Sequence, residues 1–291
     1  MRSLSRLLKT SALVASVAAM AVSGAVAPGH AASAAQVEFA PHQALYGLSL
    51  LRSRGNVSIN NASGRILYNF SGSACEGYST DFRQVSELDA GEGKTVFSDF
   101  RSTNWEAADG GSYRFRIENR SNDSDPVITD GVAERTGEGI TVRLKRPAEK
   151  TFKIDGDTIF PTEQVKRVIE AAREGKSVLE LKVYDGSDNG EKVFNTFTVI
   201  GQPITGDKGK QADDVAASSS ELKSRVRWPV TVSYYDSASK PATGEQTPAF
   251  AMSFELYDNG VSRALVIDYN DFVISGAMTR FEAKPAKPCS K

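Results

Sequence analysis

From residue 44 onward, hydrophobic and polar positions mostly alternate. Ala44, Tyr46, Leu48 and Leu50 fall on one parity, then Ile66, Tyr68 and Phe70, then Tyr78, Thr80 and Phe82. Successive side chains of a strand point to opposite faces, so each run predicts a strand with one apolar face. Residues 96–106 and the set Tyr113, Phe115 and Ile117 flank Asp109-Gly110-Gly111, whose glycines accept the positive φ of a tight hairpin. Further strands are predicted at 127–134, 139–145, 177–185, 192–200, 227–236, 249–257, 261–270 and 274–283, with a second hairpin turn at Asp258-Asn259-Gly260. Nothing repeats at the period of about 20–50 residues that marks a propeller or solenoid.

One segment changes period. After Phe160-Pro161-Thr162, the residues Val165, Val168, Ile169 and Ala172 make an apolar stripe at helical spacing. Thr162 is predicted to cap this helix, Glu163 suits the positive end of its dipole and Gly175 suits its C′ position. A lone amphipathic helix among antiparallel strands covers an open face or plugs a barrel mouth. Residues 201–225 are polar and predict a mobile surface loop, with one helical turn around 220–224.

The first residues carry a different signal. Arg2, Arg6 and Lys9 precede an apolar stretch from Ala12 to about Val26, and Ala31-Ala32-Ser33-Ala34-Ala35 follows. This is the pattern of a cleavable signal peptide over residues 1–34, with cleavage near Ala34 or Ala35. No Cys directly follows the apolar stretch, and no later segment approaches the roughly 20 apolar residues of a membrane helix. The reading is an exported, non-transmembrane chain with residues 35–291 as one β domain. Residues 1–34 contain three of the 35 bases and none of the 36 acids, so the mature chain carries 32 bases against 36 acids, a formal charge of −4. That balance argues against a nucleic-acid partner. Two cysteines remain, Cys75 and Cys289. If they pair, loop-closure entropy gives an upper figure of about 5 kcal/mol for the constraint on the unfolded chain.

Catalytic and metal constellations are hard to assemble. His30 leaves with the signal peptide, and His42, between Pro41 and a strand, reads as a strand-start residue bonded to nearby backbone. Gly93-Lys94-Thr95 lacks the earlier glycine of a phosphate loop, because Leu88 stands there. Ser237-Ala238-Ser239-Lys240 fits Ser-x-x-Lys but precedes Pro241 in a loop instead of opening a helix. The run from Asp185 to Glu191 imitates the start of a calcium loop, yet its twelfth position is Thr196. No cofactor, metal or catalytic set emerges. Carboxylates such as Asp99, Glu106 and Asp109 could supply a glycosidase-like pair, though sequence does not fix their separation. Trp105, Tyr113, Phe115 and Trp228 lie near turns or proline and are the candidate lining of a pocket mouth.

Read in order, several strings carry a family likeness: Pro41-His42-Gln43-Ala44-Leu45-Tyr46-Gly47-Leu48-Ser49-Leu50, Cys75-Glu76-Gly77-Tyr78, Trp105-Glu106 followed by Asp109-Gly110, Phe160-Pro161-Thr162, Val183-Tyr184-Asp185-Gly186, Trp228-Pro229-Val230-Thr231-Val232-Ser233-Tyr234 and Leu256-Tyr257-Asp258-Asn259-Gly260. Together they resemble the periplasmic cell-envelope integrity protein B family over essentially all of residues 35–291. The resemblance implies a mainly β fold: a large open or spiral antiparallel barrel of about fourteen strands, with one main amphipathic helix and short helical inserts. It also implies a Cys75–Cys289 disulfide, a part in Gram-negative envelope integrity, a genetic connection with a periplasmic tetratricopeptide-repeat protein, and no enzymatic activity.

By fold-level analogy, such curved sheets resemble carriers of lipoprotein acyl chains. The leading expectation is therefore a monomer that binds a lipid, a lipoprotein or a protein partner, with an apolar groove partly covered by the 163–174 helix. The alternative is an envelope glycan or peptidoglycan hydrolase working through paired carboxylates.

Overall fold

The computed structural model describes residues 36–54, 59–91, 93–206, 215–239, 246–286 and 289. The expected signal peptide and cleavage site lie outside these residues, as do the Lys240-Pro241 end of the Ser-x-x-Lys string and the middle of the 201–225 region.

Fifteen strands and two helices follow one another: β1 (His42–Ser53), β2 (Asn61–Ser73), β3 (Gly77–Asp89), β4 (Thr95–Glu106), β5 (Ser112–Ser121), β6 (Val127–Thr136), β7 (Gly139–Arg146), β8 (Lys150–Asp155), β9 (Thr158–Ile159), α1 (Pro161–Arg173), β10 (Val178–Val183), β11 (Phe194–Ile200), α2 (Val215–Ser218), β12 (Arg227–Asp236), β13 (Phe250–Tyr257), β14 (Ser262–Asp268) and β15 (Phe272–Ala283). The expected count was about fourteen. The strands missed by pattern are β8, with only two large apolar side chains, and β9, with two residues.

All fifteen belong to one sheet. Neighbours in sequence pair antiparallel, and β1 also pairs with β15, from His42 opposite Ala283 to Ser53 opposite Phe272. That pairing closes the meander into a nearly complete barrel. Among the described residues its ladder is broken at one seam, between β8 and β9, the two ends of the strand order. Both edges are short, which limits exposed strand backbone. The β9–β10 pair is the one parallel step, and a parallel pair needs a crossover, which α1 supplies. On either side of the seam one further bond extends a ladder: Tyr184 N–H donates to Ile159 O at 2.9 Å beyond β9–β10, and Gly156 N–H to Glu138 O at 2.9 Å beyond β7–β8.

The core is divided. One cluster gathers Ala44, Tyr46, Ile66, Ile267, Ile274 and Met278 from β1, β2, β14 and β15. A second sets Val168, Ile169 and Ala172 of α1 against Ile200, Trp228, Val230 and Leu256. The third packs Tyr113, Phe115, Val142 and Leu144 against Phe160, Tyr184 and Val193. A single domain ordinarily has one contiguous core with small satellites; here three clusters line different sectors of the wall.

Two local expectations are corrected. The described parts of the 201–225 region are packed onto the barrel. Ile204 bridges to Arg227, and Ala216 of α2 and Leu222 are buried in the first cluster; the expected helical turn is present, with Lys223 N–H on Ser219 O at 3.0 Å. Those two apolar residues, spaced among serines, anchor a segment whose composition reads as loop. Nor does Thr162 cap α1. The N-cap residue is Phe160, which offers no side-chain acceptor, and Pro161 occupies the first turn, where its missing N–H costs nothing.

Candidate functional site

Between the three clusters, the wall carries large side chains that face inward yet stay half-buried. Tyr68, Phe82 and Ser102 face one another across β2, β3 and β4, and Gln84 faces Phe100. On the other side, Tyr234 faces Phe250, and the half-buried Met252 faces the buried Val232. Pleat parity turns these residues to the same side as the buried core positions of their strands. Phe82 and Phe100 meet edge to face at 5.9 Å, and Tyr234 stacks on Phe250 at 4.5 Å. Aromatics left only partly covered on a concave wall mark a hollow, the usual form of a site for an apolar ligand.

The floor of the hollow is α1, and β4 holds its N-terminus. Glu106 is 2 % exposed. One of its oxygens accepts the N–H of Thr162 at 2.7 Å and the other the N–H of Glu163 at 2.8 Å. A carboxylate from a distant strand thus supplies the cap that Phe160 cannot, at the positive end of the helix dipole. Burial nevertheless outweighs these two donors and pushes the Glu106 carboxyl up to about 7. Beside it, Arg135 lies 3.5 Å from Glu163 and donates to Gly110 O and Thr158 O. Glu106, Asp109, Thr162, Glu163 and Lys166 share a cavity of about 350 Å³.

One turn into the helix lies Gln164, 7 % exposed, whose Oε1 is 3.5 Å from the Tyr234 hydroxyl and whose Nε2 has no hydrogen-bond partner. Asp185 is close enough to Tyr234 to disfavour its ionisation, and burial raises the Asp185 carboxyl above its ordinary range.

A model of a family described as EipB-like matches residues 33–285. The chain belongs to the EipB-like family. A curated relative, the cell envelope integrity protein EipB of Brucella abortus (strain 2308), is 32% identical over 268 residues, covering 90% of this chain and 92% of that protein. A crystal structure of a β-barrel-like protein from Brucella abortus, 30% identical, superposes with a TM-score of 0.77 over 86% of this chain and 100% of that one.

In this EipB-like chain the candidate residues part company. Tyr113 and Phe115 are buried in the third cluster and Trp228 in the second, so three of the four aromatics expected at a pocket mouth are core residues. Pattern near a turn does not reveal what packs over a side chain from elsewhere. Trp105 does line a surface depression of about 410 Å³, with Pro41, Glu76 and Lys284; its Nε1 donates to Glu76 O at 3.1 Å, and the Arg114 guanidinium lies 5.0 Å over its ring. That depression is on the outer face, away from the hollow.

The carboxylates also separate. Asp99 faces outward between Arg83 and Arg101, whose guanidinium groups hold it at about 2. Asp109 accepts the N–H of Gly111 within its own turn. His42 is buried, and its Nδ1 lies 2.7 Å from Ala40 O.

The calcium-like run is a pair of local turns, with Ser187 N–H on Asp185 Oδ1 and Glu191 N–H on Asn189 Oδ1. No group of three or more potential metal ligands occurs among the described residues. Cys75 and Cys289 are joined, with Cα atoms 5.7 Å apart, fastening the β2–β3 turn to the C-terminal segment. No described helix is long and apolar enough to cross a membrane.

Sequence reasoning missed Glu106 as a cap, and Gln164 and Tyr234 as a pair. The one available signal was a polar Gln directly beside the apolar stripe of α1.

Proposed function

We propose that this chain is an exported, non-enzymatic protein of the periplasm that maintains cell-envelope integrity by holding a hydrophobic ligand inside its barrel. The envelope role is supported by the relationship to the cell envelope integrity protein of Brucella abortus, and export by the basic and apolar pattern of residues 1–34. The observation that supports the ligand lies on the inner wall: inward aromatics on β3, β4, β12 and β13 border the core clusters yet stay only half-buried, where a filled barrel would cover them. The paired-carboxylate alternative has weaker support, since both oxygens of Glu106 are engaged by α1 and Asp99 faces the other way. A periplasmic tetratricopeptide-repeat protein fits as a partner at the outer surface of a monomer, testable by pull-down.

The ligand reading is tested by native mass spectrometry of the exported protein and by titration with N-phenyl-1-naphthylamine. A retained lipid mass or saturable dye binding is expected. Ser102→Trp, which fills the hollow from β4, is expected to weaken dye binding by about tenfold while leaving the melting temperature within a few degrees. Absence of saturable binding to the unmodified protein would sink the reading.

A further inference from the structure

We infer that the hollow is built for an acyl chain ending in an uncharged carbonyl, an ester or an amide, which the Gln164 side chain receives, and that it discriminates against free carboxylates. This rests on the hydrophobic-ligand reading above and names the head group.

One buried donor on α1 is unmet. Gln164 is more than nine-tenths buried, and its Nε2 hydrogen bonds to nothing. A buried amide donor without an acceptor is costly and persists where something else supplies the acceptor. Its Oε1 takes only a long 3.5 Å contact from the Tyr234 hydroxyl. Tyr234 in turn stacks on Phe250 and meets Phe194 edge to face, so the amide sits at the end of an aromatic wall. Nearby on the inward face of β11, the fully buried Thr198 Oγ1 is also without a partner. An apolar channel closed by neutral hydrogen-bonding groups suits a chain with a neutral polar end.

The charges around it decide which end. The acids near this floor are Asp185, beside Tyr234, and Glu106 under the helix N-terminus. The bases are engaged: Arg135 with Glu163, Gly110 O and Thr158 O, and Lys192 with Asp188 at 2.8 Å and Asp236 at 3.7 Å. Lys166 lies two residues on from Gln164, on the opposite side of α1, where it shares the cavity of Glu106 and Asp109. A ligand carboxylate at Gln164 would meet Asp185 and no cation on its own side of the helix. An ester or amide carbonyl accepts from Gln164 without adding charge.

The test uses the mature protein loaded with N-phenyl-1-naphthylamine and displaced, near pH 8, by 1-monopalmitoylglycerol or by palmitate, which share one acyl chain. The neutral ester is expected to displace the dye at about tenfold lower concentration. Gln164→Met keeps the length of the side chain and removes its donor; with displacement referred to each variant's own dye affinity, it is expected to close that gap to within about twofold and to melt no lower than the parent. Gln164→Leu repeats the measurement should the Met variant fold poorly. Equal or stronger displacement by palmitate, or a preference that survives both substitutions, overturns the inference while leaving a hydrophobic site in place. Failure of the unmodified protein to bind the dye overturns the ligand reading itself.

Discussion

The β5–β7 wall and the β3–β4 wall are built from the same alternation, yet one is sealed and the other open. Over β5–β7 lies the 184–193 segment: Tyr113 donates to Asp185 O at 3.1 Å, Thr129 Oγ1 to Asp188 O at 2.8 Å, and Tyr184 to Gly190 O at 2.7 Å. Gly186, at φ +72, lies so close that a Cβ there would sit 2.4 Å from the Phe115 ring. Phe115 is 3 % exposed as a result. On the neighbouring wall Phe82 borders the first cluster and Tyr269 hydrogen bonds Gln84, yet Phe82 and Phe100 stay half-buried. Strand pattern sets which way an aromatic points; a distant loop sets whether it becomes core or lining.

The comparison breaks first at Phe115. Phe115→Ala should cost about 3–5 kcal/mol, because the surrounding cluster and the Gly186 turn leave a cavity that cannot collapse; chemical denaturation measures it. Next is the clasp. Cys75→Ser frees the β2–β3 turn, which belongs to the open wall, and a loss of roughly 2–5 kcal/mol is expected from a closed loop this long. A melting temperature unchanged in the variant or under reductant would mean that the bridge contributes nothing to stability.

How much of this was legible follows the same division. The strands were readable wherever residues such as Ala44, Tyr46 and Leu48 alternate, since a half-buried strand writes its period into local sequence. The stripe of α1 was readable for the same reason. The seam strands β8 and β9 were not, being short and poor in apolar residues. Tyr113, Phe115 and Trp228 were misplaced because their burial comes from the 184–193 segment and α1, whose contacts have no local signature. The Glu106 cap joins positions 56 and 57 residues apart, and no spacing rule reaches that far.

Glu106 lies where the open wall meets the sealed one, and it makes the comparison pH-dependent. Its folded-state value, about 7, stands above the 4.5 of an ordinary glutamate, so the folded protein holds this proton more tightly than the unfolded chain does. The stabilisation is fully present below about pH 4.5 and is lost as pH rises through about 7, a swing on the order of 3 kcal/mol. Asp99, held at about 2, has the opposite sense, but its stabilisation changes only at lower pH. Between pH 5 and 8, therefore, the parent should lose stability that Glu106→Gln does not lose. Parallel slopes of stability against pH in the two proteins would remove the effect.

The smallest effect is the most telling. Phe100→Ala deletes as many atoms as Phe115→Ala, and from an equally aromatic inward position. If β3 and β4 line a hollow, the truncated side chain leaves space already open to solvent, so the cavity contribution disappears and only part of the transfer free energy is lost. A cost of about 1 kcal/mol or less is expected, together with weaker binding of N-phenyl-1-naphthylamine. A cost matching that of Phe115→Ala would show Phe100 to be packed like the sealed wall, and the contrast between the two walls would disappear.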